Sequence, residues 1–225
     1  MHKLAKFSSN PSKLQFEGFV HILRYIGYNN TFGLKYYADI NDAPVFDLLR
    51  QASIKTKNHF MDCSDSSWQD CPDTGRSTGA CIIFYQCGPI YHGTHVPGPV
   101  AQSSAESEYS AACTSGMSLA HSRMLIHEFL NKDLDIVPEE DPLIVLDSKS
   151  AMCMDNNGKD TKHTRHIERR VHFVRNGEKC KMHKIYWCEG VLQLEYIFTK
   201  NVGEHDLTPG MKYIMVILDN YCRKL

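Results

Sequence analysis

The sequence predicts an α/β fold, a mixed sheet packed by helices, and three observations carry that reading. Short strand patterns follow one another up to Val96, Leu143 to Leu146 is a continuous apolar run of the kind found in fully buried strands, and helical periodicity separates the later strands. Antiparallel strands first and helix-linked strands afterwards imply a mixed sheet.

Taken in order, Asn10 to Gly27 reads as a helix, with Asn10 as N-cap, Pro11 at its first position and Gly27 at its stop. Phe16, Phe19, Val20, Leu23 and Ile26 recur at helical spacing, so one face is expected to pack on a neighbour. Gly33 to Tyr37 reads as a short strand and Val45 to Ala52 as a short helix, with a domain boundary near Lys57. A strand ending near Ser64, then Ala80 to Cys87, a turn at Gly88-Pro89, and Ile90 to Val96 form a three-strand meander. Two helices follow, Ser103 to Cys113 and Ser118 to Leu130, divided at Gly116. The buried strand Leu143 to Leu146 leads into a helix just after Asp147. His163 to Asn176 is a basic helix, Met182 to Cys188 a fifth strand of the sheet, and Leu192 to Lys200 a short helix.

The 225 residues are 42% apolar and 23% charged, the balance of a globular protein. There is no apolar run of membrane-spanning length and no secretory leader pattern, so no membrane partner and an intracellular location, in a cytoplasmic particle or the nucleus, are expected. Nine cysteines without a C-x-x-C pair suggest reduced thiols rather than a disulfide framework or a zinc ribbon. The net charge of -1 hides segregation. Lys159 to Lys184 holds nine Lys/Arg and three acids, whereas Asp133 to Asp147 holds six acids and no base. A basic stretch beside an acidic one suits a phosphate backbone held near metal-binding carboxylates, and a solvated helix face is the plainer alternative.

Asp147 ends the run L-I-V-L-D-S, so its carboxylate emerges at the carboxyl end of a central strand, where sites in α/β sheets collect. Asp65 stands in the same place after the first strand of the meander, and Glu106 opens a helix. Three such carboxylates make a hard oxygen site for magnesium or manganese, able to support phosphodiester hydrolysis. Each also has a structural alternative: Asp65 as a turn residue, Glu106 as the far half of the capping box S-x-x-E, and Asp147 as an N-cap.

The stretch SDSSWQDCPDTGRSTG, Ser64 to Gly79, resembles the pattern Y-S-D-A-D-W-A-G-x-P-D-x-R-R-S-T-S-G of copia-type retrotransposon polyproteins, and the match selects Asp65 over Asp62. SSAESEY, Ser103 to Tyr109, is similar to that family's S-S-T-E-A-E-Y and is read as selecting Glu106, since Glu108 points to a different helix face. LDSKSA, Leu146 to Ala151, resembles C-D-N-Q-S-A and selects Asp147. TKHTRHIERRVHFVR, Thr161 to Arg175, resembles R-T-K-H-I-D-I-R-Y-H-F-I-R, and LQLEYIFTK, Leu192 to Lys200, resembles D-Q-L-A-D-I-L-T-K. Upstream, FSSNPSKLQFEGFVHILRYI and GLKY resemble the end of the family's reverse transcriptase.

The resemblance implies a ribonuclease H-like mixed five-stranded sheet with helices on both faces, preceded by a small, mostly helical reverse-transcriptase tail. The expected division is 1–57 for that tail, 58–205 for the ribonuclease H-like domain and 206–225 for a C-terminal tail. It further implies magnesium- or manganese-dependent cutting of the RNA strand of an RNA/DNA hybrid, with the rest of the polyprotein, including its reverse transcriptase, as partner. Asp65, Glu106 and Asp147 are then metal ligands. Lys162, Arg165, Arg169, Arg170 and Arg175 would contact phosphates, and His166 would assist proton transfer or product release, a solvent-facing histidine being the alternative. The chain departs from the family in having Tyr196 where a fourth carboxylate is usual, with Glu195 one position early, and Ser67 for the second aspartate of D-A-D-W. One residue on a helix turns a side chain by about 100 degrees, so Glu195 is not a like-for-like substitute. A remnant that binds nucleic acid without cutting it, and a domain that only packs on a polymerase, remain as alternatives.

Overall fold

The structure, a computed structural model, describes residues 2–28, 31–37, 39–54, 60–86, 88–98, 100–130, 141–149, 168–189, 199 and 214–217. Contacts divide the chain into two units, Met1–Lys35 with Met215–Leu225, and Tyr36–Ile214. The segment expected as an N-terminal tail is therefore shared between the two units.

The smaller unit contains α1 (His2–Ala5), α2 (Lys13–Tyr28), β1 (Phe32–Leu34) and β7 (Met215–Ile217). β1 pairs antiparallel with β7, Phe32 opposite Ile217. α2 buries none of its residues, and Phe16, Phe19, Leu23 and Ile26 are exposed, so the packing expected of its apolar face is absent among the described residues.

The larger unit begins with a 3-10 turn (Ile40–Asp42) and α3 (Pro44–Gln51), whose Val45, Phe46 and Leu49 are buried. Its sheet consists of β2 (Phe60–Ser67), β3 (Thr78–Tyr85), β4 (Gly88–His95), β5 (Leu143–Leu146) and β6 (Lys184–Trp187), in the order β4-β3-β2-β5-β6. β3 runs antiparallel to both β2 and β4, as the meander requires, while β5 lies parallel to both β2 and β6. This is the predicted mixed five-stranded sheet with helices. β5 is buried along its whole length because it has a parallel partner on each side, which is why its sequence is apolar without alternation.

α4 (Ser104–Phe129) packs on β2, β3 and β5, and α5 (Glu168–Lys179) packs on α4 and β6. The break expected at Gly116 does not occur, and α4 is one helix of 26 residues. A Cβ on Gly116 would come 3.3 Å from Ile144 Cδ1 and 3.5 Å from the Phe173 ring. The glycine is thus a point of close approach between helix and sheet rather than a stop. The turn expected at Gly88-Pro89 falls earlier, next to Gln86 at φ 51°, and β4 starts at Gly88. Tyr36 lies over Gly88 and donates its hydroxyl to the Pro89 carbonyl at 2.9 Å, which favours strand backbone there. β4 is an edge strand, so Pro89 costs no ladder bond in the sheet interior. Phe60, Ile83, Tyr109, Ala112, Leu119, Ile144, Leu146 and Val174 form the core between sheet and helices.

Candidate metal centre

The parallel register of β2 and β5 brings two acids side by side. Its last pair is Cys63 opposite Val145, and Asp65 and Asp147 each stand two residues further on. Equal spacing from a common pair delivers both carboxylates to the same end of neighbouring strands. Asp65 is 1% exposed and Asp147 is half-buried at the mouth of β5.

The third acid comes from α4, whose phase on the sheet is fixed by a polar seam. Ser66 meets Ser107, and Asp62 accepts a hydrogen bond from Ser115. Positions 62 and 66 share one face of the strand, as the two-residue period requires, and 107 and 115 are two helical turns apart, so strand and helix run alongside each other. With Ser107 turned to β2, Glu108 swings about 100 degrees further around the helix and reaches the aspartates. Ligand atoms of Asp65, Glu108 and Asp147 all lie within 4.8 Å of one another, the one such group among the described residues.

Glu106, expected in this group, lies outside it. Its backbone N–H donates to the N-cap Ser103 Oγ at 3.2 Å, and its Oε2 accepts at 2.7 Å from the N–H of Gln102, the residue before the N-cap, a variant of the capping-box alternative. Sequence reasoning did not place Glu108 in this group, although a signal was available. A capping box already occupies the Glu106 carboxylate, leaving the second acid of E-S-E for other work.

Surrounding contacts hold the three elements in place. Trp187 Nε1 on β6 donates to the Asp147 carbonyl at 2.9 Å, while the Lys149 ammonium sits 4.1 Å from the centre of the Trp187 ring. Trp68 Nε1 donates to the Ala101 carbonyl at 3.1 Å, tying the end of β2 to the approach to α4. Thr78 bonds Asp70 at 2.8 Å, and the Gln69 N–H donates to Ser77 Oγ at 3.2 Å, so the motif residues Trp68, Ser77 and Thr78 shape the β2–β3 turn. Thr199 Oγ1 donates to Asp65 Oδ2.

The donor set fits a divalent cation. Three carboxylates converge, two of them buried, and a pair of unit negative charges 4.8 Å apart or closer repels by at least about 3.5 kcal/mol at an effective dielectric of about 20. A hard dication accepting carboxylate oxygen relieves that repulsion. Asp62, three residues from Asp65, belongs to a different environment. It is fully buried, and burial pushes its carboxyl up to about 7 against the opposing Ser115 hydroxyl.

The expected phosphate-binding residues fall mostly beyond the site's described surroundings. Lys162, Arg165 and His166 lie outside the described residues, as do Glu195 and Tyr196, and Arg169 lies on α5 with its side chain undescribed. Arg170 and Arg175 are half-buried on α5. Burial pushes the Cys113 thiol up, and the Arg170 charge on α5 offsets only part of that rise. His183, from the same basic stretch, is buried with Nε2 3.2 Å from the Val174 carbonyl, and burial lowers its pKa.

No protein-family model and no curated protein sequence matches the chain. Among solved structures, it is similar to the LC11 RNase H1 from compost in complex with an RNA/DNA hybrid, at 10% identity over 58% of this chain and 86% of that one, TM-score 0.41. It is also similar to the N-terminal RNase H domain of a Mycobacterium tuberculosis protein, at 8% identity over 68% and 96%, TM-score 0.43. A third likeness is to the prototype foamy virus protease-reverse transcriptase, at 12% identity over 70% of this chain and 20% of that one, TM-score 0.37. Among the described residues, no helix is long and apolar enough to cross a membrane.

Proposed function

We propose that this chain is a divalent-metal-dependent endonuclease that hydrolyses the RNA strand of RNA/DNA hybrids, serving reverse transcription as the ribonuclease H-like part of a copia-type polyprotein. The observation that carries the reading is the convergence of Asp65, Glu108 and Asp147 from three elements that lie far apart in sequence. Magnesium or manganese, when bound, supplies the Lewis acidity and activated water that phosphodiester hydrolysis needs. The three carboxylates hold the metal, with Glu108 in the role first given to Glu106. The half-buried Asp147, at the mouth of the cluster, is the member nearest to an approaching backbone. Cations of the basic segment, Lys162, Arg165, Arg169, Arg170 and Arg175, hold phosphates without reading bases, as recognition of a hybrid by shape requires. His166 handles a proton or assists product departure. The partners are the hybrid and the remainder of the polyprotein.

Tyr196 favours a second reading, in which the centre is disabled for want of the family's fourth carboxylate. Cleavage of a labelled RNA/DNA hybrid in magnesium and in manganese separates the two. The nuclease reading expects cleavage by the chain as it stands and its loss in Asp147→Asn. Cleavage that emerges only with Tyr196→Asp would establish the second reading instead.

A further inference from the structure

Thr199 is 134 positions from Asp65 in sequence, yet its hydroxyl donates to Asp65 Oδ2 and only 7% of the residue is exposed. An aspartate's carboxylate plane turns easily, because the torsion that sets it is broad and two-fold. A hydroxyl fixed on one oxygen removes that freedom and sets the direction of the other oxygen's lone pairs. Threonine suits the task because its β-branched side chain has few χ1 choices. Its hydroxyl is also neutral. A lysine or arginine in its place would bring a positive charge to Asp65 and compete with a bound cation.

We propose that Thr199 is a positioning residue that orients the Asp65 carboxylate for a divalent cation, an inference that rests on the metal-centre reading of Asp65, Glu108 and Asp147. Thr199 does not touch the cation or the substrate. It acts through Asp65, as a neutral donor.

The test is calorimetric titration of manganese into the full chain, with melting temperatures of the metal-free proteins measured alongside. Groups that orient a metal ligand in this way typically contribute about 10- to 100-fold in metal affinity. Thr199→Val, which keeps the shape and removes the hydroxyl, is expected to weaken manganese binding by at least about 10-fold. Thr199→Ser, which keeps the hydroxyl, is expected to restore most of it. Thr199→Ala carries the same comparison if valine is not tolerated. Manganese affinity unchanged in Thr199→Val, whether or not its metal-free melting temperature falls, would overturn the positioning role and leave the metal centre standing. Absence of manganese binding by the unaltered chain would overturn both.

Discussion

Asp62 and Asp65 lie three residues apart on β2 and meet different surroundings. Asp65 joins two other carboxylates, whereas Asp62 is sealed beneath α4 with Ser115 as its donor. Because burial raises the Asp62 carboxyl from 3.8 to about 7, the folded protein retains a proton that the unfolded chain has lost between those values. Stability contributed by this group is therefore greatest below about pH 4, declines as pH rises and is gone above about 7, on the order of a few kcal/mol in all. Asp62→Asn keeps the hydrogen-bonding shape without the charge. Urea unfolding at pH 5 and pH 8 is expected to show a smaller loss of stability in the variant than in the unaltered chain, and equal losses would contradict this assignment. The sequence motif set the two aspartates apart by placing Asp65 in S-D-S-S-W, and Asp65 is the one that lies in the carboxylate group. It carried no sign that Asp62 is buried, since a polar D-C-S-D segment reads as a turn until it is known that Ser66 and Asp62 meet serines of a helix.

On the scale of elements, the helices show where local patterns end and packing begins. Helical periodicity placed α4 and α5, but Gly116 reads as a break and is instead a contact with Ile144. Gly177 on α5 is a parallel case, since a Cβ there would come 2.1 Å from the ring of the buried His183. An exposed helical glycine replaced by alanine gains up to about 1 kcal/mol. Gly177→Ala is expected to lose about 1–3 kcal/mol instead, because the His183 ring has no room to give. A shift of the urea midpoint to lower concentration checks this, and a shift to higher concentration would mean that the ring moves freely. The exchange of Glu106 for Glu108 has the same origin. Two residues on a helix turn a side chain by about 200 degrees, and which face meets the sheet was set by Ser107 and Ser115, whose serine-to-strand contacts have no signature in an apolar pattern.

For the whole molecule, the mixed sheet was legible because each strand carried its own evidence: turn-bounded alternation for the meander and unbroken apolar character for β5. The pairing of β1 with β7 was not. Three-residue strands joined across most of the chain leave no periodicity to read, and loop closure over that length favours no particular partner in advance. What the fold accomplishes is to bring the ends of β2 and β5 and one early turn of α4 to a single point, so that acids at 65, 108 and 147 form one group. The capping role of Glu106 gives the most direct test of that account, since Glu106→Gln keeps an acceptor for the Gln102 N–H while Glu108→Gln removes a charge from the cluster. Cleavage of a labelled RNA/DNA hybrid in manganese should fall by at least about 100-fold in Glu108→Gln and stay within about three-fold of the unaltered chain in Glu106→Gln. The reverse pattern, with Glu106→Gln inactive and Glu108→Gln active, would contradict the centre described here.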